Sequence, residues 1–363
     1  MERLYGVNLG NWLVLEKWMS PQLFAGTAAA DETDLCLQLG EEKFGRLKAH
    51  RDTYITFEDF KHIKAGGLNT VRLPVPHFIF NDCEPYVGCI GYLDKAFEWA
   101  EAAGLKILID LHTAPDSQNG FDNGGICGVC KWHTKPENIE RTLTVLEKLA
   151  ARYKGHAALY GIELLNEPVS EEVLAHTRKN YPPSDPARAE GSCAVPIELL
   201  YDFYTRGYNV VRRHLDEDKA VVLHDGFRLR LWKDFMRGPE YKNVVLDTHL
   251  YVGMGIAAEL PKGAKINLID YLQLTLNKFA EGVAEMQEFF PVVVGEWCLA
   301  HHPTDMPDYT PMQKLLSYRA VADAQLFAWE RAAGWFFWSY KLVPGVPGWD
   351  MRECMKNKWL PAF

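Results

Sequence analysis

Two carboxylates stand where a carboxylate is costly. The run Tyr160-Gly-Ile-Glu-Leu-Leu-Asn166 leads into Glu167-Pro168, and the run Pro291-Val-Val-Val-Gly295 leads into Glu296-Trp297. An acid that follows a stretch of apolar residues is stable only where it emerges into a polar site. Other polar residues end comparable runs: Arg72, His112, His249 with Tyr251, and Trp338. Paired acids suit cleavage of a glycosidic bond: one protonates the departing oxygen, and the other attacks the anomeric carbon or activates water. The two must then differ in protonation at working pH. We expect Arg72 to hold Glu296 ionised, with the Tyr251 hydroxyl bonding the same oxygen. Glu167, if more desolvated, would stay protonated, and Asn166 would hold a sugar hydroxyl. Glu163, Asp110 and Asp247 read as structural acids. The adjacent His301 and His302 point apart on an extended chain, and no metal site is expected of them.

These side chains must be carried by regular elements. Eight apolar runs read as strands, at 5–9, 69–73, 106–111, 159–165, 220–224, 244–249, 292–296 and 334–338. Several are nearly continuous Val, Ile and Leu, the pattern of parallel strands buried on both faces. Helical segments lie between them at 92–103, 136–153, 196–214, 267–289 and 311–333. In the second of these, Ile139, Leu143, Leu146 and Leu149 share one face, and Pro136 suits a first turn. Strand and helix in alternation imply βαβ units, and eight units predict a (β/α)8 TIM barrel over 1–363 as one catalytic domain. A doubly wound sheet would want a third glycine after its first strand, and Gly6-Val-Asn-Leu-Gly10-Asn11 lacks it. In such a barrel the C-terminal strand ends share one mouth, which is where the polar residues above fall. Residues 181–192 form the loosest stretch and predict a surface excursion after the fourth strand.

Composition narrows the partners. With 48 % hydrophobic and 24 % charged residues the 363-residue chain is globular in type. Its 39 Lys and Arg against 48 Asp and Glu give −9, a poor charge for gripping nucleic acid. No apolar run reaches the ~18 residues of a membrane span. The 11 Trp and 16 Tyr suit the faces of a sugar. The start, Met1-Glu2-Arg3-Leu4-Tyr5-Gly6-Val7, has no basic segment followed by an apolar core, which favours a cytoplasmic protein unless that start is processed or trimmed. Cys127 and Cys130 have CxxC spacing, and Cys83 and Cys89 lie in another loop. They predict either four reduced thiols or, less favoured without a second CxxC, a four-thiolate zinc site.

The motifs together resemble glycoside hydrolase family 5, most nearly its exo-β-1,3-glucanase branch. They run almost end to end: Gly6-Val-Asn-Leu-Gly-Asn-Trp-Leu-Val-Leu-Glu16-Lys-Trp18, Val71-Arg72-Leu-Pro, Ile109-Asp-Leu-His112, Asn119-Gly-Phe121-Asp122-Asn123, Asn166-Glu167-Pro168, His249-Leu-Tyr251, Gly295-Glu296-Trp297, Trp338-Ser-Tyr-Lys341 and Gly348-Trp-Asp350. The resemblance implies a retaining two-step hydrolase without a cofactor, acting on a carbohydrate. It implies Glu167 as acid/base, Glu296 as nucleophile, and Arg72, His112, Asn166, His249 and Tyr251 as their support. It implies Glu16, Asn123 and Trp338 around a terminal glucose and Phe121 as one side of an aromatic clamp, with Asp122, Met254 and Lys341 also binding substrate. Two departures stand out: Asn11 replaces a usual glycine, and Met254 replaces the second aromatic of the clamp. The leaving-group side is therefore altered, which keeps release of a disaccharide from plant aromatic glycosides as an alternative. A transglycosylase on the same site and a noncatalytic sugar-binding barrel are the other rivals. The latter would be expected to have lost one of the two acids.

Overall fold

The computed structural model describes residues 2–261, 263–343, 346–361 and 363. Its strands are β1 (Leu4–Asn8), β2 (Thr70–Val75), β3 (Lys106–Leu111), β4 (Leu159–Glu163), β5 (Ala220–His224), β6 (Val244–His249), β7 (Val292–Trp297) and β8 (Gly334–Phe337). They close in sequence order into a barrel, every neighbouring pair parallel. All eight expected runs become strands, and every residue of β2, β5, β6 and β7 is buried. Parallel strands have one face on the barrel interior and the other under helices, so a continuous apolar run satisfies both.

The interior is layered. Leu4, Leu108, Ala220, Val222, Val245, Val293 and Phe336 form an apolar plug toward the N-terminal ends of the strands. Gly6 leaves room for it, because a Cβ there would lie 2.2 Å from the Phe336 ring. Two residues further along the same walls the interior turns polar. Leu108 is followed by Asp110 and His112, and Val245 by Asp247 and His249. Successive side chains alternate across a strand, so residues two apart climb one wall, and the period-2 change from apolar to polar marks the floor of the mouth.

The helix expected at 136–153 is present as Pro136–Tyr153, with Leu143, Leu146 and Leu149 buried. The helix expected at 267–289 is continuous over residues 268–287, with a π turn inside it. Its parts are Leu268–Leu274, the π turn at Thr275–Phe279, and Ala280–Gln287. A π turn inserts a residue and rotates the following face, which blurs a single helical period. Between β1 and β2 lie three helices the apolar pattern does not mark: Glu32–Leu39, Glu42–Tyr54 and Phe57–Ala65. The first two cover a small separate core that includes Leu15, Phe24, Leu35 and Leu47, while the third packs Phe60 and Ile63 into the main core. The second of them buries Lys43 and Arg51 beside Leu47, so charge hides its amphipathic face from a sequence reading.

The excursion at 181–192 is a surface segment with a short turn of helix at Pro186–Ala189, and it follows the helix Glu171–Asn180. The four loop cysteines do not gather. Cys89 and Cys130 enter the main core, Cys83 is half-buried, and all eight cysteines are free thiols. Among the described residues no cluster of close ligand atoms contains a cysteine, which corrects the four-thiolate reading. Burial pushes the Cys89 thiol up to about 11 and the Cys130 thiol to about 12, as befits small core side chains.

Candidate active site

Arg72 organises the mouth. It is wholly buried and reaches acids from four other strands or their ends: Asp110 at 3.1 Å, Glu163 at 2.8 Å, Asp247 at 3.7 Å and Glu296 at 3.0 Å. Its Nη1 also donates to Asn8 Oδ1 at 3.0 Å, and its Nη2 to Asn166 Oδ1 at 2.8 Å. Because the guanidinium takes the Asn166 carbonyl, the Asn166 amide nitrogen is left as a donor, and it has no partner among the described residues. Burial opposes the Arg72 charge, but the Asp110, Glu163 and Glu296 charges outweigh it and hold the cation in place.

Glu296 receives two donors on separate oxygens. Arg72 bonds Oε1, and the Tyr251 hydroxyl donates to Oε2 at 2.6 Å. This corrects the expectation that both address one oxygen. Glu167 sits just past β4 with φ at +46°, a strained conformation for a residue with a Cβ. Its Oε1 lies 2.8 Å from His249 Nδ1, and Asn123 Nδ2 donates to its Oε2 at 3.2 Å. The same His249 Nδ1 lies 3.5 Å from Glu296 Oε2. Oxygens that share one nitrogen at these distances are closer together than the ~6.5–9.5 Å of inverting carboxylate pairs, and are compatible with the ~5–5.5 Å of retaining ones.

Protonation differs from the expectation. Burial disfavours charge on His249, but the Glu296 and Asp247 charges and the Asp247 and Glu167 hydrogen bonds raise it well above its ordinary value. Burial pushes Glu167 up, and the His249 bond and charge then bring it below the ordinary carboxylate value. Glu296 ends above its ordinary value: burial raises it, the His249 charge opposes, and the Glu167 charge adds to burial. The resting proton therefore belongs to His249, between the two acids, and not to a desolvated Glu167.

The surrounding wall is aromatic and polar. Trp338 is 2 % exposed and stacks on His112, with ring centroids 5.7 Å apart and planes 6° apart. His112 Nδ1 is 2.5 Å from Asp110 Oδ2, which turns Nε2 outward with no partner among the described residues. Gly10 admits the Trp338 indole, since a Cβ there would lie 2.7 Å from it. Glu16 is buried, accepts from Trp18 Nε1 at 2.9 Å, and has Oε1 without a partner among the described residues. Burial and the Asp122 charge raise its pKa well above the ordinary value, with smaller contributions from Glu296 and Glu167. Asn11 has φ at +60°, which explains why glycine would also fit there. Its side chain donates to Ser20 Oγ and accepts from the Glu16 backbone, fixing the Glu16 turn. Asp122 is buried and pushed up to about 7 by burial.

One expected binding residue lies differently. The Lys341 ammonium is paired with Asp59 at 3.1 Å and lies over the Tyr54 ring, so it is spoken for by the scaffold. Met254 is 52 % exposed at the start of the helix Val252–Glu259. Sequence reasoning missed Asn8, whose Nδ2 donates to the Gly295 carbonyl at 2.8 Å, and His224, whose ring meets that of His249 at 4.4 Å. Both end strands, β1 and β5, so the strand-end rule would have found them. Gln118, which donates to the His112 and Asn166 carbonyls, carries no such signal.

Residues 41–341 match the family model for cellulase, glycosyl hydrolase family 5. The chain belongs to glycoside hydrolase family 5. This family 5 enzyme is a retaining glycoside hydrolase, in keeping with the close carboxylate oxygens. A protein of Aspergillus niger named probable glucan 1,3-β-glucosidase A is 33 % identical over 396 residues, spanning 98 % of this chain and 87 % of its own length. The glucan 1,3-β-glucosidase of Candida oleophila is 31 % identical over 412 residues, spanning 99 % and 89 %. Among solved structures, rutinosidase from Aspergillus niger has the same fold with a TM-score of 0.78, at 21 % identity over 99 % of this chain and 98 % of that one.

Proposed function

We propose that this family 5 hydrolase removes terminal β-glucosyl units from β-1,3-linked glucans and related β-glucosides by double displacement. The observation that carries the reading is the pairing of Glu167 and Glu296 across His249 Nδ1, beside a wall made by buried Glu16 and Trp338. Glu296 attacks the anomeric carbon as the glycosidic C–O bond breaks, forming a glycosyl ester. Glu167 passes a proton to the departing oxygen, drawing it along the 2.8 Å bond from His249. Esterification removes the Glu296 charge that favours the protonated His249, so Glu167 and the imidazole stay unprotonated after the first step and are free to accept the proton of the attacking water. Glu16 Oε1, the Asn166 amide and His112 Nε2 are the partners offered to the glucosyl hydroxyls. The β-1,3 linkage is supported by the names of relatives that span nearly the whole chain.

Glu296→Ala should lower turnover of an aryl β-glucoside by at least ~10³-fold. Azide should then restore reaction and give the α-glucosyl azide. Near-normal turnover in the variant would overturn the assignment. With laminaribiose and laminaritriose the first small product should be glucose. Release of intact disaccharide from a plant diglycoside, with no glucose from either oligosaccharide, would replace the glucosyl reading.

A further inference from the structure

We propose that Tyr181 is the specificity-determining wall of the leaving-group site, forming with Phe121 the corner that holds the departing sugar or aryl ring. The inference rests on the glucosidase reading above and deepens it. The two rings meet edge to face, with centroids 5.2 Å apart and planes 83° apart. Both are half-buried, so part of each stays open to solvent. A right-angled pair makes a corner and not a closed stack. The corner stands on the acid/base side, because Phe121 is two residues from Asn123, which bonds Glu167 Oε2. The leaving group must lie on that side, where its oxygen takes the proton. The Tyr181 hydroxyl also feels the mouth: burial raises its pKa most, followed by the Asp122, Glu16 and Glu167 charges.

The position of Tyr181 is held from both flanks. Upstream, its N–H donates to the Thr177 carbonyl at 2.8 Å, and Gly120 lets Thr177 approach, since a Cβ there would lie 3.1 Å from Thr177 Cγ2. Downstream, Gly128 takes φ +72° and meets Pro183, where a Cβ would come within 2.5 Å. The Cys193 N–H donates to the Cys130 carbonyl at 3.1 Å, and Arg188 pairs with Asp34 at 2.7 Å. The excursion is thus fastened to the same 120–130 loop that carries Phe121. It supplies a planar face on a mouth where Met254, exposed and thioether-bearing, does not.

The test compares two β-glucosyl donors: laminaribiose, whose leaving group is a sugar, and β-glucosyl fluoride, whose leaving group is one atom. Tyr181→Ala should lower kcat/KM for laminaribiose about tenfold or more, while changing it for the fluoride by no more than about twofold. Tyr181→Phe, which keeps the ring and its packing, should lose less on laminaribiose than Tyr181→Ala does. Equal losses on both donors, or no loss on laminaribiose, would overturn the inference while leaving the glucosidase reading intact. A wild-type enzyme inert toward both donors would overturn the two together.

Discussion

A single imidazole holds the proton between the two acids. His249 stands between Glu167 and Glu296, and its charge opposes burial on both. Glu296 must be ionised to attack, so activity begins as pH rises through its pKa. The proton that Glu167 delivers rests on His249, so activity ends as pH rises through the His249 pKa, which lies well above its ordinary value. Replacing His249 by Gln removes the charge that lowers Glu296 and leaves Glu167 as the last holder of the proton. The acid limb of kcat/KM should therefore move to higher pH, by about one unit, and the alkaline limb, now set by Glu167, to lower pH. A variant whose pH–rate profile kept both limbs in place would contradict this electrostatic account. The positive φ of Glu167 belongs to the same scale: the backbone accepts strain to bring that carboxyl to His249.

At the scale of the element, β7 aims its acid through irregular pairing. Its register shifts against β6 between Thr248 and His249, and against β8 between Val294 and Trp297. Such irregularities turn a side chain away from where a regular ladder would point it. Gly295, the residue before Glu296, donates to Asp247 Oδ1 at 2.7 Å, and a Cβ there would lie 2.0 Å from Asp247 Oδ2. Gly295→Ala must displace Asp247 or the strand, and with either goes the approach of Glu296 to the anomeric carbon. We expect kcat to fall about 10²-fold, because a displacement near 1 Å is enough to spoil attack. Steady-state kinetics beside a melting curve would check it: full activity in a folded variant would mean that β7 tolerates the shift.

For the whole molecule, the polar floor is also a structural joint. Arg72, from β2, contacts acids from β3, β4, β6 and β7, so one cation ties together five of the eight strands. Buried ion pairs are a weak source of net stability, but removing one partner leaves charge without compensation. Arg72→Met should destabilise the fold by about 3–5 kcal/mol or prevent its accumulation, as measured by urea unfolding. A loss of well under 1 kcal/mol would mean that the acids are already neutral and that the arginine serves chemistry alone.

Much of this was legible in the residues themselves. The eight strands follow from local apolar runs, and the mouth follows from the polar residues that end them, because burial on both faces and period-2 alternation are written along the chain. What remained hidden depends on approach between distant segments. Arg72 and Glu296 are 224 positions apart, and only closure of the barrel gave each Glu296 oxygen its own donor. Only that closure placed His249 between the acids and so moved the expected proton from Glu167 to the imidazole, tied Lys341 to Asp59, kept the loop cysteines apart, and brought Tyr181 against Phe121. A pattern along the sequence fixes which side chains leave the apolar interior. The field and the donors that meet them there arise from other strands, and tertiary geometry alone sets those distances.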